Sequence, residues 1–286
     1  MPLVSTGELV SAAQADGHGI AAFNVITLEH AEAIAAGAER AGAPAILQIS
    51  ENAVKFHGGR LSAIAAATAA VARSSGAPLA LHLDHVESVD LLHQAHAEGF
   101  GSVMFDASKL PYEQNVQATA DAVAWGHERG IWIEAELGKV GGKEGEAPLD
   151  AHAPGVRTDP AEAAAYVAAT GVDALAVAVG SSHAMTERTA ALDHALIGQL
   201  RDAVTVPLVL HGSSGVPDDE IRQAVASGMR KINVGTALNT AFTGAVRAYL
   251  AENPTGVDPR KYLVPGREAM AATVAGFLAL MDSATA

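Results

Sequence analysis

The chain has 286 residues, 49% of them apolar and only 4% aromatic, which is enough aliphatic side chain for one large core in a single domain spanning 1–286. Thirty-two acidic residues against 18 basic ones leave a net charge of −14, which argues against a nucleic-acid or anionic-membrane binder, because either needs a broad basic surface. There is no cysteine, so disulfides, thiolate metal sites, iron–sulfur clusters and a cysteine nucleophile are excluded, and any metal must be held by His, Asp or Glu.

Residues 1–10 lack a basic stretch followed by a long apolar run, and no run of about 18 apolar residues suggests a membrane span, so a cytoplasmic location is expected. In chain order, a short helix is predicted over 6–17 and an aliphatic run follows at 20–25. The next helix covers 27–42. Thr27 is a capping residue type, Glu29 and Glu32 favour the positive end of the helix, and Gly42 stops it. Further aliphatic runs lie at 45–50, 79–85, 102–107, 131–137, 174–180, 207–212 and 231–235. The same start and stop signals predict helices over 88–99, 111–130, 159–171 and 217–228, with Pro160 and Pro217 each at a first helical position. Most runs are continuously apolar rather than alternating, as in parallel strands covered on both faces. Eight such strands alternating with helices in about 250 residues predict a (β/α)8 TIM barrel, with a short N-terminal helix and a C-terminal helical extension over 258–281. A doubly wound open sheet is the rival architecture. The longest break, 139–157, is rich in glycine and charge and is expected to act as a mobile lid.

In a barrel, reacting groups belong at the C-terminal ends of the strands. Those ends read Asn24, then Ser50 and Glu51, Asp84 and His85, Asp106, Glu134 and Glu136, His183 just past the sixth run, His211, and Asn233. Polar groups closing apolar strands need a partner or a metal. His85, His183 and His211 come from three different strand ends, and three neutral imidazoles beside open positions are the arrangement of a catalytic zinc. His82, two residues before Asp84, reads as a packed, hydrogen-bonded imidazole. Near a divalent cation, Asp84, Asp106, Glu134, Glu136 and Glu144 could stay ionised, bind a second metal position or shuttle protons. The competing reading pairs Glu134 and Glu136 with Lys139 and Lys143 and leaves Glu144 a solvated loop charge. Two turns of small residues, Gly212-Ser213-Ser214-Gly215 and Asn233-Val234-Gly235-Thr236, end the seventh and eighth runs. Their backbone N–H groups can approach an anion closely, where barrels frequently bind phosphate.

Several segments in order carry a resemblance. They are Ala22-Phe23-Asn24, Leu81-His82-Leu83-Asp84-His85, Ser102-Val103-Met104-Phe105-Asp106-Ala107-Ser108, Glu134-Ala135-Glu136-Leu137-Gly138 with Gly141-Gly142, and Ala176-Val177-Ala178-Val179-Gly180 with His183. Leu210-His211-Gly212-Ser213-Ser214-Gly215, Lys231-Ile232-Asn233-Val234 and Asp258-Pro259-Arg260 complete the set. With them the chain resembles the class II, metal-dependent ketose-bisphosphate aldolases, the family of fructose- and tagatose-1,6-bisphosphate aldolases. The resemblance implies one catalytic Zn2+ on His85, His183 and His211. It makes Asp84 the proton donor and acceptor at the C4 oxygen. Asp106 and Glu136 match positions that can hold a second cation, divalent or monovalent. Glu144 matches a loop carboxylate that moves the proton at the dihydroxyacetone phosphate carbon. Gly212, Ser213, Ser214, Asn233, Val234, Gly235 and Thr236 match the segments that bind dihydroxyacetone phosphate, and Ala184 offers its amide to the substrate. Asn24 and Ser50 would position the substrate, and Arg260 would reach the far phosphate, in its own subunit or in a neighbour's. Ala184, Ser213, Gly235 and Gly145 stand where the family commonly has Gly, Ala, Ala and an acidic residue.

The implied activity is reversible cleavage of a ketose 1,6-bisphosphate, fructose or its C4 epimer tagatose, through a zinc-stabilised enediolate, in a homodimer or homotetramer. Two other readings stand beside it. One is a Schiff-base aldolase using Lys231, which opens the eighth strand at the end away from the site. The other is a non-catalytic subunit that only binds a sugar phosphate.

Overall fold

The computed structural model describes residues 3–138, 140–141 and 156–282. Its strands are β1 Ile20–Asn24, β2 Ala45–Ser50, β3 Leu79–Val86, β4 Ser102–Phe105, β5 Trp132–Leu137, β6 Ala174–Val177, β7 Leu208–Leu210 and β8 Met229–Val234. Each pairs in parallel with the next, and β8 closes on β1, so the sheet is a closed eight-stranded barrel rather than an open one. Parallel neighbours cannot be joined by a tight turn and need crossovers. The helices among the described residues are α1 Thr6–Asp16, α2 Leu28–Ala41, α3 Glu51–Phe56, α4 Leu61–Ser74, α5 Val89–Ala97, α6 Tyr112–His127, α7 Pro160–Thr170, α8 His194–Ala203, α9 Asp218–Ser227, α10 Thr236–Glu252 and α11 Pro259–Leu278.

The local signals act as expected at most helix ends. At α7, Asp159 accepts the N–H groups of Ala161 and Glu162 at 2.9 Å each, Pro160 opens the first turn, and Gly171 ends the helix in left-handed backbone. Pro217 differs from expectation. Its backbone is extended (φ −58°, ψ 155°), so it precedes α9, which begins with Asp218. The predicted sixth and seventh strands are also longer than the observed ones. Ala178 and Val179 are buried in a loop, and burial produces the same apolar run whether or not the backbone pairs.

Two apolar layers hold the barrel. Outside, strand residues pack against the helices; Phe23 of β1 meets Phe277 of α11 edge-on at 6.5 Å. Inside, Ile20, Ala22, Ile46 and Ala80 cluster with Val10 and Ala13 of α1, so the N-terminal helix plugs the floor of the barrel. Ser102 donates its hydroxyl to Thr6 Oγ1 at 2.8 Å in the same place. Above this floor the interior turns polar. Gln48, His82, Asp84, Asp106, Glu134, Glu136, His211, Lys231 and Asn233 are all buried. An interior lined this way is costly without partners, and the partners converge at the C-terminal rim.

Candidate active site

A backbone irregularity brings the first two groups together. Between β3 and β4 the register runs Leu83 to Val103 and then Val86 to Phe105, three residues against two. The extra residue breaks the usual alternation of side chains. Asp84 and His85, neighbours in sequence, therefore both line the same cavity. His85 takes a left-handed backbone with φ of 50°. Its Nδ1–H donates to Asp106 Oδ2 at 2.8 Å, and Asp106 Oδ1 is fixed by the N–H and hydroxyl of Ser108 at 3.1 and 2.6 Å.

His183 follows β6, its N–H donating to the carbonyl of Gly141 at 2.7 Å. His211 follows β7 and is fully buried. Its Nε2–H donates to Glu134 Oε1 at 3.1 Å, which leaves Nδ1 beside Glu136 Oε2 at 3.0 Å. The ring centroids lie 4.8 Å apart for His85 and His211, 5.1 Å for His85 and His183, and 5.7 Å for His183 and His211. One donor atom from each of His85, Glu136, His183 and His211 falls within 4.8 Å of the others. Three imidazoles and a carboxylate suit zinc. The bonds from Asp106 and Glu134 hold the rings of His85 and His211 as carboxylates do behind metal-bound histidines. The residues present therefore fit the expected ion.

Beneath the cluster lies a buried charge network. Lys231 Nζ is 2.9 Å from both Glu134 Oε2 and Asn233 Oδ1. Lys231 is not on the cavity wall, in keeping with its expected place away from the site, and the competing reading paired Glu134 with Lys139 or Lys143. Instead Lys231 reaches up inside the barrel and is Glu134's partner; Lys139 and Lys143 lie outside the described residues. Burial opposes ionisation of Glu134, but Lys231 and His211 outweigh it and hold the carboxyl well below its usual range. Burial likewise opposes ionisation of Asp84 and is outweighed by His85, Lys231 and His211, so its carboxyl also titrates low. His211 moves the other way: burial would lower it, yet Glu134 and Glu136 raise it to about 9. Burial, with Lys231 adding to it, pushes His82 down to about 3. His82 is packed and bonded through Nδ1 to Ser102 Oγ at 2.9 Å.

The small-residue turns face the cluster. Gly212 has φ of 69°, and a Cβ there would stand 2.5 Å from the carbonyl oxygen of Ser182, so only glycine fits. Ser214 Oγ accepts the N–H groups of Gly235 and Ala237 at 3.2 and 3.1 Å, tying this turn to the start of α10. Helix α10 thus opens its N-terminus on the cavity through Gly235 and Thr236, which favours an anion. Ala184 lies beside them with φ of 57°. That backbone costs an L-residue roughly 1–2 kcal/mol, against about 0.5–1 kcal/mol for glycine's extra chain entropy. Ala184→Gly is therefore expected to raise the unfolding free energy by about 0.5–1 kcal/mol in urea titrations.

One cavity of about 810 Å³ collects Asn24, Ser50, Asp84, His85, Asp106, His183, Ala184, Gly212, Ser214, Asn233, Gly235 and Thr236 from the expected set. His211 and Glu136 join it through the donor cluster, while Ser213 and Val234 are buried in the turn and in β8. Ser50 also caps α3 by accepting the N–H of Ala53 at 3.2 Å. Arg260 is not on the cavity wall. It is exposed in the first turn of α11 and paired to Asp258 at 2.8 Å. Glu144 lies outside the described residues. The sequence reading missed Gln48, Lys55, Glu87, Lys109 and Asn239 on the wall. Lys55 belongs to α3, whose six residues are too short to show a period.

The family model for class-II fructose-bisphosphate aldolase matches residues 4–286. The YdjI aldolase of Escherichia coli K12 is 31% identical, with TM-score 0.83 over 98% of each chain. A structure described as a putative fructose-1,6-biphosphate aldolase from Coccidioides immitis is 29% identical, with TM-score 0.84 over 97% of this chain and 96% of that one. The fructose-bisphosphate aldolase of Campylobacter jejuni, at 24% identity, shares the fold with TM-score 0.83 over 99% of this chain and 96% of its own.

Proposed function

Because the chain belongs to the class II fructose-bisphosphate aldolase family, whose members are lyases, we propose that it cleaves a ketose 1,6-bisphosphate reversibly to dihydroxyacetone phosphate and glyceraldehyde 3-phosphate, with fructose 1,6-bisphosphate as substrate and zinc as the resident ion. The observation that carries this reading is the meeting of three imidazoles with a buried carboxylate, Asp84, in the cavity that two small-residue turns also line. A zinc ion on His85, His183 and His211 supplies a Lewis acid for the negative charge that the reaction develops.

The chain's own residues have separate tasks. Asp84, whose carboxyl is held low, takes the C4 hydroxyl proton in cleavage and returns it in synthesis. Asp106 fixes the tautomer of His85, and Glu136 stands as a fourth donor or a place for a second cation. The amides of Gly212, Ser214 and Thr236, with the start of α10, hold the phosphate of the dihydroxyacetone half; Gly235, whose N–H donates to Ser214 Oγ, shapes those turns with Ser213, Val234 and Ala184. Asn24, Ser50 and Asn233 orient the sugar hydroxyls. Glu144 moves the carbon proton of dihydroxyacetone phosphate. Arg260, exposed and off the cavity wall, acts across the interface of a homodimer or homotetramer.

Dialysis against a strong chelator is expected to abolish cleavage of fructose 1,6-bisphosphate, and added zinc or cobalt to restore it. Full turnover by protein shown to be metal-free would sink the assignment. A higher kcat/KM on tagatose 1,6-bisphosphate would change the epimer and leave the reaction in place.

A further inference from the structure

The cavity has a second polar wall. Lys55 and Lys109 are the only lysine or arginine side chains among its described lining residues. Lys55 lies on α3, just after β2, and Lys109 lies in the loop after β4. A chain of contacts through three successive loops joins them. Lys55 Nζ is 3.0 Å from Glu51 Oε1. Glu51 Oε2 accepts the N–H groups of Glu87 and Ser88 at 2.7 and 3.1 Å. Glu87 Oε1 in turn accepts from Lys109 Nζ at 2.7 Å. Burial opposes the charge on Glu51, but Lys55 and the two amides outweigh it and keep its carboxyl low. The strands in ring order place this wall across the barrel from the β7 and β8 turns, with Asp84 and His85 of β3 on the same cavity.

We propose that Lys55 and Lys109 form an anion-binding rim that recognises a charged group, phosphate or carboxylate, at the far end of the aldehyde half of the substrate. The proposal rests on the aldolase reading and extends it to the choice of aldehyde. These two ammonium groups are the lysine charges on the cavity's described lining, each balanced by a glutamate of the same wall. An ammonium carries three donors, so it can serve its carboxylate and an incoming anion together. The glutamates hold both lysines over the opening. The ion pairs are partly exposed, so they are weak and can rearrange at little cost when an anion arrives. With one charged end held at the β7 and β8 turns and the other at this rim, the bond to be broken lies between them, over Asp84.

The test uses the zinc-loaded full chain, dihydroxyacetone phosphate and three aldehydes: glyceraldehyde 3-phosphate, succinic semialdehyde and uncharged glyceraldehyde. The readout is the ratio of kcat/KM for each anionic aldehyde to that for glyceraldehyde. The Lys55→Gln and Lys109→Gln single variants should lower this ratio about tenfold each, and the double variant about a hundredfold. A fall confined to glyceraldehyde 3-phosphate assigns a phosphate rim, and one confined to succinic semialdehyde a carboxylate rim. An unchanged ratio for both overturns the proposal. Binding of unreactive 3-phosphoglycerate, measured by calorimetry on wild type and double variant, separates the two levels. Lysine-dependent binding without turnover would remove the aldolase reading and keep the rim. Turnover with a ratio indifferent to both lysines would do the reverse.

Discussion

Asp84→Ala is expected to lower kcat about 10²–10⁴-fold, the usual worth of a positioned acid–base group, while zinc measured by atomic absorption stays at the wild-type stoichiometry. Asp84 is absent from the four-residue donor cluster, yet it is buried on the same cavity with its carboxyl held low by its cationic neighbours. Asp84→Asn, which keeps the volume, should fail in the same way, because the lost property is basicity. His211→Ala gives the contrasting pattern: metal content falls together with activity. That variant also leaves Glu134 and Glu136 without the imidazole that lies between them. Asp84→Ala protein that lost its zinc, or that kept its kcat, would remove Asp84 from the proton step.

Lys231→Met is expected to destabilise the fold by about 3–5 kcal/mol in urea titrations, because it strands the carboxylate of Glu134 in the barrel interior. Methionine fills much of the same space, so the loss is of charge pairing rather than of packing. The double variant Lys231→Met with Glu134→Gln should recover most of the deficit, since glutamine still offers an oxygen to His211 and carries no charge. A cost below about 1 kcal/mol for the single variant would mean that water or another group reaches Glu134. The proposed zinc donors share this network through His211, so zinc affinity is expected to weaken in the single variant as well.

The architecture was legible because each strand is covered on both faces and so reads as an unbroken aliphatic run, and because capping residues and glycines punctuate the helices between them. The three histidines were legible because the barrel rule says where a strand end must lie. The register was not. Nothing in Leu83-Asp84-His85-Val86 announces an extra residue, since a bulge depends on pairing with a neighbouring strand. The pairing of Lys231 with Glu134 was illegible for a related reason. Its Cα sits low in β8, but a four-carbon stem carries the ammonium upward to Glu134 on β5, a contact between residues 97 positions apart that no local pattern encodes. Lys55 and Lys109 escaped because each sits in a loop or a very short helix, where only the closed ring reveals that they share a wall. Pro217 shows the finer limit: a proline before a helix is equally at home just outside it.

The bulge that turns Asp84 and His85 toward one cavity leaves His85 in backbone territory suited to glycine, at a cost of roughly 1–3 kcal/mol. Glycine there would release that strain but would strip the buried Asp106 of the N–H it accepts at 2.8 Å, so folding alone gains little from the exchange while the proposed zinc site loses a donor. Selection for heat resistance therefore exerts no strong pull on that codon, and sturdiness and usefulness do not part company at this position.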